Sequence, residues 1–492
     1  ATCAPCRRTI ARRERRIDEQ WRSNVRVVTV EGGVLALPGG LTRADVVIRG
    51  ERIATLTADA ASSEADERID ATNMLIMPGA IDVHTHFEEP DPNLLEGFAT
   101  GGKAAAAGGI TTVVEMPQAH PTTFDADLLA EKQELVRRNA IVDMALWGGV
   151  TLQNGQAADD LRAMAAGGVA AFKSFMASSS PFFPAVTSAQ LRDAMEIIAP
   201  LGLPYGLHAE DDALMQSGLA RMRAEGRRDP LAHAASRPPI VETVAVGVAV
   251  ALAEETGCPV HICHVASAGA LRLIADAKRR GVAVTCETCP QYLVLTTDDL
   301  VRLAGFGRCA PALREPAEVE AIWPYLLDGT IDLVASDHCG YTVASKTPGA
   351  DDIFAVPLGL QGIQTMLPAV WSAAVERGLS PERFVDLFSR NPARIFGLDE
   401  RKGSLAPGMD ADLVVFDPNA DWTVSVADGL CRQPWTPYEG MPIRGRVRRT
   451  LRRGETIYDD RLRGSARVPA RQGSGALLRP RDRRGERPRS MA

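Results

Sequence analysis

Between about residues 77 and 400 the chain alternates short apolar runs with amphipathic helical stretches, and this rhythm constrains the fold more than any single motif. Eight runs read as strands, at 81–86, 111–116, 143–150, 170–176, 205–208, 260–265, 283–289 and 332–337. Helical stretches fall between them at 100–107, 125–138, 157–166, 188–201, 242–256 and 268–280. Strand followed by helix over some 320 residues predicts an α/β protein, its parallel sheet closed into a (β/α)8 TIM barrel. Catalytic groups in such barrels sit at the C-terminal ends of the strands. The search for chemistry therefore narrows to the residues at which each run stops.

On either side the texture changes. Residues 25–30, 33–37, 44–49 and 52–56 are β-rich and separated by glycine turns, and the same texture returns at 411–416 and 444–452. These segments predict a small β-sandwich built from both chain ends, 24–76 and 401–460, around a barrel at 77–400. The extremities, 1–23 and 461–492, are expected to be disordered basic tails. Residues 1–22 hold seven Arg against three acids and 461–492 hold ten against two, so a net charge of −7 hides a body near −19. An acidic body, with only 5% aromatic residues, suits a metabolic enzyme and argues against a nucleic-acid partner. No apolar run reaches the roughly 18 residues of a membrane span, and no secretory core is evident. Nine cysteines without framework spacing fit a reducing compartment, so the expected location is cytoplasmic. The two C-x-x-C pairs, Cys3 with Cys6 and Cys286 with Cys289, lack the four ligands a zinc knuckle needs.

The strand ends carry the chemistry. The first closes on Asp82-Val83-His84-Thr85-His86, where a period of two puts both imidazoles on one face. The fifth closes on His208, the sixth on His264 and the eighth on Asp337. Any one of them alone reads equally as a satisfied core polar group. Together they converge on one barrel mouth and form a metal-ligand set. The fourth strand adds Lys173, between Phe172 and Ser174. Alone it would be a snorkelling strand-end lysine. Among apolar neighbours an ammonium is poorly solvated, which favours the amine that can take up CO2 as a carbamate. Carbamate and solvent oxygen would then bridge two divalent ions, zinc first, manganese or cobalt next, and generate a hydroxide nucleophile. Asp337 would be both ligand and proton shuttle.

The chain resembles the cyclic amidohydrolases of the amidohydrolase superfamily, the group of hydantoinase, allantoinase, dihydropyrimidinase and dihydroorotase. The resemblance spans roughly 24–460. It rests on Pro78-Gly79-Ala80-Ile81-Asp82-Val83-His84-Thr85-His86, Ala106-Ala107-Gly108-Gly109-Ile110-Thr111-Thr112, Glu287-Thr288-Cys289-Pro290-Gln291-Tyr292-Leu293 and Asn391-Pro392-Ala393-Arg394-Ile395-Phe396-Gly397-Leu398. It implies that His84, His86, carboxylated Lys173, His208, His264 and Asp337 are the ligands of a binuclear centre. It also implies a homotetramer or dimer acting on a small cyclic ureide.

Four branches of that group differ at readable positions. Dihydroorotases place an arginine two residues after the second histidine, where this chain has Glu88, which repels a carboxylate. Dihydropyrimidinases and D-hydantoinases carry a tyrosine five residues after the lysine, where this chain has Ser178. L-selective hydantoinases are similar at Val114-Glu115-Met116-Pro117 and from Ser336-Asp337-His338 to Lys346-Thr347-Pro348-Gly349, and allantoinases at Leu94-Leu95-Glu96-Gly97-Phe98. The resemblance therefore implies hydrolysis of 5-substituted hydantoins to N-carbamoyl amino acids, with allantoin to allantoate as the alternative. A non-enzymatic scaffold of the dihydropyrimidinase-like kind would have lost ligands that are all present here. Ser178 with Phe182 and Phe183 is expected at the C5 pocket, and the backbone at Ala310 and Leu358 is expected to meet the ring amides.

Overall fold

The computed structural model describes residues 25–481 apart from 61–63, 92–94, 154–155 and 179–181. The expected tail at 1–23, with its C-x-x-C pair, and residues 482–492 lie outside the described residues.

Seven unbroken strands form the barrel wall: Ala80–His86, Ile110–Glu115, Asp143–Gly149, Ala171–Phe175, Tyr205–His208, Val260–Ile262 and Val284–Thr288. Each pairs in parallel with the next. The eighth position is filled by two fragments of one run. Leu333–Val334 pairs with the seventh strand and His338–Cys339 with the first, so the sheet closes on itself. Three residues, Ala335, Ser336 and Asp337, separate the fragments. Helices such as Phe98–Ala107, Ala126–Asn139, Ser188–Ile198 and Ala268–Arg279 cover the outside, with apolar faces in one continuous core. Inside the barrel Ile81, Val83, Val114, Trp147, Cys263 and Ala335 form a second cluster. Pro230–Thr256 is long and apolar enough to pass for a membrane span. It is in fact two helices, Pro230–Ser236 and Ile240–Thr256, separated by Arg237-Pro238-Pro239, and Val241, Ala245, Val246 and Ala249 are buried.

The sandwich forms from both ends of the chain. One sheet runs in the order Arg52–Thr57, Asp45–Arg49, Val27–Glu31, Glu67–Asp70. The other runs Glu455–Asp459, Pro442–Arg452, Leu413–Thr423, Leu75–Pro78, Val34–Leu37, Gly40–Arg43. The halves join where Leu413–Thr423 lies antiparallel to Leu75–Pro78, and Val30, Leu35, Ile48, Ile76, Leu413 and Leu451 share the core between the sheets.

Two boundaries differ from the expected ones. Residues 424–441 leave the sandwich and pack on the barrel, where Trp435 Nε1 donates to the Tyr341 carbonyl at 2.7 Å and Arg432 N to Glu96 Oε1 at 2.9 Å. The second difference corrects the disordered-tail reading for 461–481. Met144 N donates to the Ala476 carbonyl at 2.8 Å and Leu478 N to the Met144 carbonyl at 2.7 Å, which adds a short parallel bridge to the start of the third barrel strand. Leu478 joins the cluster inside the barrel, at the end opposite the histidines. Arginine-rich composition hid a few apolar residues with a specific place to go.

Candidate active site

The first strand delivers His84 and His86 to one face, with ring centroids 5.3 Å apart. Asp337 faces both, its Oδ1 3.4 Å from His84 Nε2 and 3.2 Å from His86 Nε2. On the other side of His84 lies His264, with centroids 5.2 Å apart, and beyond it His208, whose Nδ1 is 3.0 Å from His264 Nε2. Lys173 completes the ring. Its cross-strand neighbours are Gly149 and Gly206, which bring no side chain beside its own. All six residues are buried and line a cavity of about 610 Å³.

Three residues here take a backbone conformation that side chains avoid. His264 has φ 37°, Asp337 φ 50° and Glu88 φ 51°. Such strain persists where the surroundings over-determine it, and at Asp337 those surroundings are visible. Asp82 Oδ1 accepts from the backbone N–H of both Ser336 and His84, at 3.0 and 3.2 Å, and His338 N donates to Ser336 Oγ at 3.1 Å. These side-chain bonds replace the ladder between the two fragments and turn the aspartate into the cavity.

The imidazoles are oriented from behind. His84 Nδ1 bonds Glu287, whose other oxygen lies 3.1 Å from His261 Nε2, leaving His84 Nε2 for the cavity. His208 Nε2 bonds Glu210 Oε2 at 2.8 Å, and Arg237 holds the same oxygen, leaving His208 Nδ1 inward. Carboxylates placed this way fix tautomer and ring direction in metal-ligating histidines. Burial lowers the pKa of His84, His208 and His264, keeping them neutral and able to offer lone pairs. For Asp337, His84 and His86 outweigh burial, and its carboxyl stays below the usual range. No carbonyl, carboxylate or hydroxyl among the described residues accepts from Lys173 Nζ, and His264 Nδ1 also has no partner. Imidazole lone pairs, a carboxylate and an unpartnered buried amine make a donor set that fits divalent cations.

Of the residues expected to contact substrate, Ala310 and Leu358 line the cavity. Ser178 does not. It is exposed, its N–H donates to Asp212 Oδ1 at 2.9 Å, and it borders a separate surface groove with Met176 and Pro184. The chain turns after Phe175 so that Ala177 buries against Met215 and Val241, which carries Ser178 away. The two phenylalanines divide. Phe183 is fully buried edge-on to Phe124 and Phe175, whereas Phe182 is 61% exposed at the rim with its ring 4.7 Å from that of His120. Glu88, which excluded a carboxylate-binding role in the sequence, lines the cavity and is raised to about 6 by burial.

Sequence reasoning gave Glu210, Arg237 and His261 no part and quoted Glu287 only as part of a motif. Glu210 stands two residues after His208, a same-face spacing that could have marked it. His338 accepts from Gly362 N at 3.2 Å and lies 3.4 Å from Glu96. His233 reaches the Cys309 carbonyl at 2.7 Å and does not line the cavity. Cys286 and Cys289 are buried, and the seven described cysteines are all unpaired.

Known proteins agree with this architecture. The model of the amidohydrolase family matches residues 75–457. An allantoinase of Rubrobacter xylanophilus is 40% identical over 465 residues, covering 93% of this chain and 98% of that protein. An L-hydantoinase of Paenarthrobacter aurescens is 34% identical over 458 residues, covering 92% and 98%. The solved L-hydantoinase (dihydropyrimidinase) from Arthrobacter aurescens superposes with a TM-score of 0.88 at 34% identity, covering 92% of this chain and 99% of that one. Family match, barrel and sandwich lead to one conclusion: the chain belongs to the amidohydrolase family.

Proposed function

We propose that the protein opens the ring of 5-substituted hydantoins by hydrolysing the cyclic amide bond, giving N-carbamoyl amino acids. The observation that carries this is the convergence of His84, His86, Lys173, His208, His264 and Asp337 on one cavity. These six would hold two divalent cations, zinc first and manganese or cobalt next, with Lys173 as a carbamate. When bound, the pair supplies an acidified water and a polarised ring carbonyl. Asp337 Oδ1, facing His84 and His86, takes the proton of the attacking water and returns it to the departing ring nitrogen. Glu287 and Glu210 hold His84 and His208 in the tautomers this requires. The backbone at Ala310 and Leu358 meets the ring amide, and Phe182 at the rim offers an apolar surface to the C5 group.

Allantoin is the second reading, since it is a hydantoin with a ureido group at C5. Two observations favour it. Gln118 lines the cavity with an Oε1 that accepts from none of the described residues, and Glu88 on the same lining adds a second acceptor for ureido N–H groups. The relative at 40% identity is named an allantoinase.

The test is ring opening by protein loaded with metal and bicarbonate on both enantiomers of an aryl and an alkyl 5-substituted hydantoin, allantoin, dihydrouracil and dihydroorotate. Preference for the substituted hydantoins is the expected result. A clear preference for allantoin would keep the mechanism and replace the substrate. Silence across the panel with metal bound would refute the reading.

A further inference from the structure

Lys346 ends the short helix Val343–Lys346, and its side chain is fully buried. No carboxylate pairs with it among the described residues. Its Nζ donates to the Arg308 carbonyl at 3.0 Å and the Pro357 carbonyl at 2.8 Å, with the Tyr341 ring centroid 5.4 Å away and that of Trp435 6.0 Å away. A buried cation without a counter-charge is costly. The structure buries this amine against carbonyl oxygens at a place where three stretches of the cavity wall meet.

Arg308, Tyr341 and Pro357 all line the cavity, as do Ala310 and Leu358 beside them. We propose that Lys346 is a positioning residue, clamping the backbone at 308–310 to the backbone at 356–358 so that the two face a bound ring at fixed separation. This rests on the ring-opening reading above. The clamp has support on both sides. Gly359 N also donates to the Arg308 carbonyl, at 3.0 Å, and the Arg308 guanidinium returns to the Phe354 and Val356 carbonyls. Cys339 N donates to the Leu360 carbonyl at 2.8 Å, tying the same loop to the end of the eighth strand. Of these links, Lys346 alone takes the carbonyl of Pro357, the residue next to Leu358. Burial draws its pKa down to about 7, yet the neutral amine keeps two N–H donors, one for each carbonyl.

Lys346→Met keeps the length of the side chain and removes both donors. Substrate recognition, more than the chemical step, should then suffer: KM is expected to rise about tenfold or more while kcat falls less than about threefold. Metal content should be unchanged. Without substrate, backbone amides at 358–360 should exchange faster with deuterium in the variant, while those of the barrel strands keep their native rates. Lys346→Ala supplemented with propylamine, which refills the space with an amine, should recover part of the lost KM. Native KM together with native exchange at 358–360 would overturn the proposal, and so would global unfolding of both variants, which would make Lys346 a residue of fold stability. If no cyclic ureide is a substrate, the exchange experiment still decides whether the clamp exists, so failure of the clamp and failure of the functional reading remain distinguishable.

Discussion

A side chain's role in this cavity is set by what stands behind it as much as by what it faces. On the proposed mechanism Lys173→Ala should lose most bound metal and nearly all turnover, with partial recovery in small carboxylic acids; full activity without them would remove the carbamate from the mechanism. Asp337→Asn keeps the shape and cannot take a proton, so kcat should fall by about 10²–10⁴-fold while substrate still binds. Glu287 touches no substrate in this scheme. Burial alone would raise its carboxyl, but His84 and His261 pull it well below the usual range. Glu287→Gln should therefore weaken metal binding by about 10–100-fold in competition with a chelator, with the fold intact. That the six residues meet at one cavity was legible in the sequence, because strand ends and a period of two specify direction. Glu287 was not, because an acid on a buried strand reads the same whether it orients a histidine or satisfies a core, and Glu210 offered only its spacing of two from His208. Ser178 misled for a related reason: an offset of five counts residues, whereas the turn after Phe175 decides where the fifth one points.

At the scale of elements, the sequence predicted the eight strand positions but not the break in the eighth. The run 332–337 reads as continuous, and only the structure shows Asp82 drawing the N–H groups of Ser336 and His84 onto one carboxylate. Such local side-chain bonds compete with a ladder and leave no periodic signature. The C-terminal segment misled in the other direction. Ten arginines in 461–492 suggest a solvated tail, yet Leu478 is 4% exposed inside the barrel cluster. Leu478→Ala should cost about 2–5 kcal/mol in unfolding free energy, since the cavity it leaves is lined by strands that cannot collapse. An unchanged denaturation midpoint would return the segment to the status of a tail.

At the scale of the whole molecule, barrel and sandwich were both legible because each repeats a pattern, 3.6 or 2, many times over. The joint between them repeats nothing. It is built on Lys402, whose buried Nζ lies 2.7 Å from Asp143 Oδ2, 2.9 Å from Asp410 Oδ2 and 2.7 Å from Asp412 Oδ2. Asp143 opens the third barrel strand, whereas Asp410 and Asp412 lead into the sandwich strand Leu413–Thr423. Arg453 Nη1 adds a second cation on Asp143 at 3.0 Å, and Ala476 N of the C-terminal segment donates to the same oxygen at 2.8 Å. Residues 143, 402, 412, 453 and 476 are scattered along the chain, so no local window could have joined them. With three carboxylates around it, the ammonium is held charged, its pKa raised although burial opposes this. Lys402→Met would leave Asp412 without a cation in a dry interior while Asp143 keeps Arg453 and Asp410 keeps Arg52 and Arg401, and breaking a buried pair typically costs about 3–5 kcal/mol. Because the acids belong to different layers, the loss should appear as decoupling as well as a lower midpoint. Calorimetry should resolve a single native transition into two in the variant, the sandwich melting ahead of the barrel. One transition at the native temperature would mean that the remaining contacts, Arg453 with Asp143 among them, hold the two layers together without Lys402.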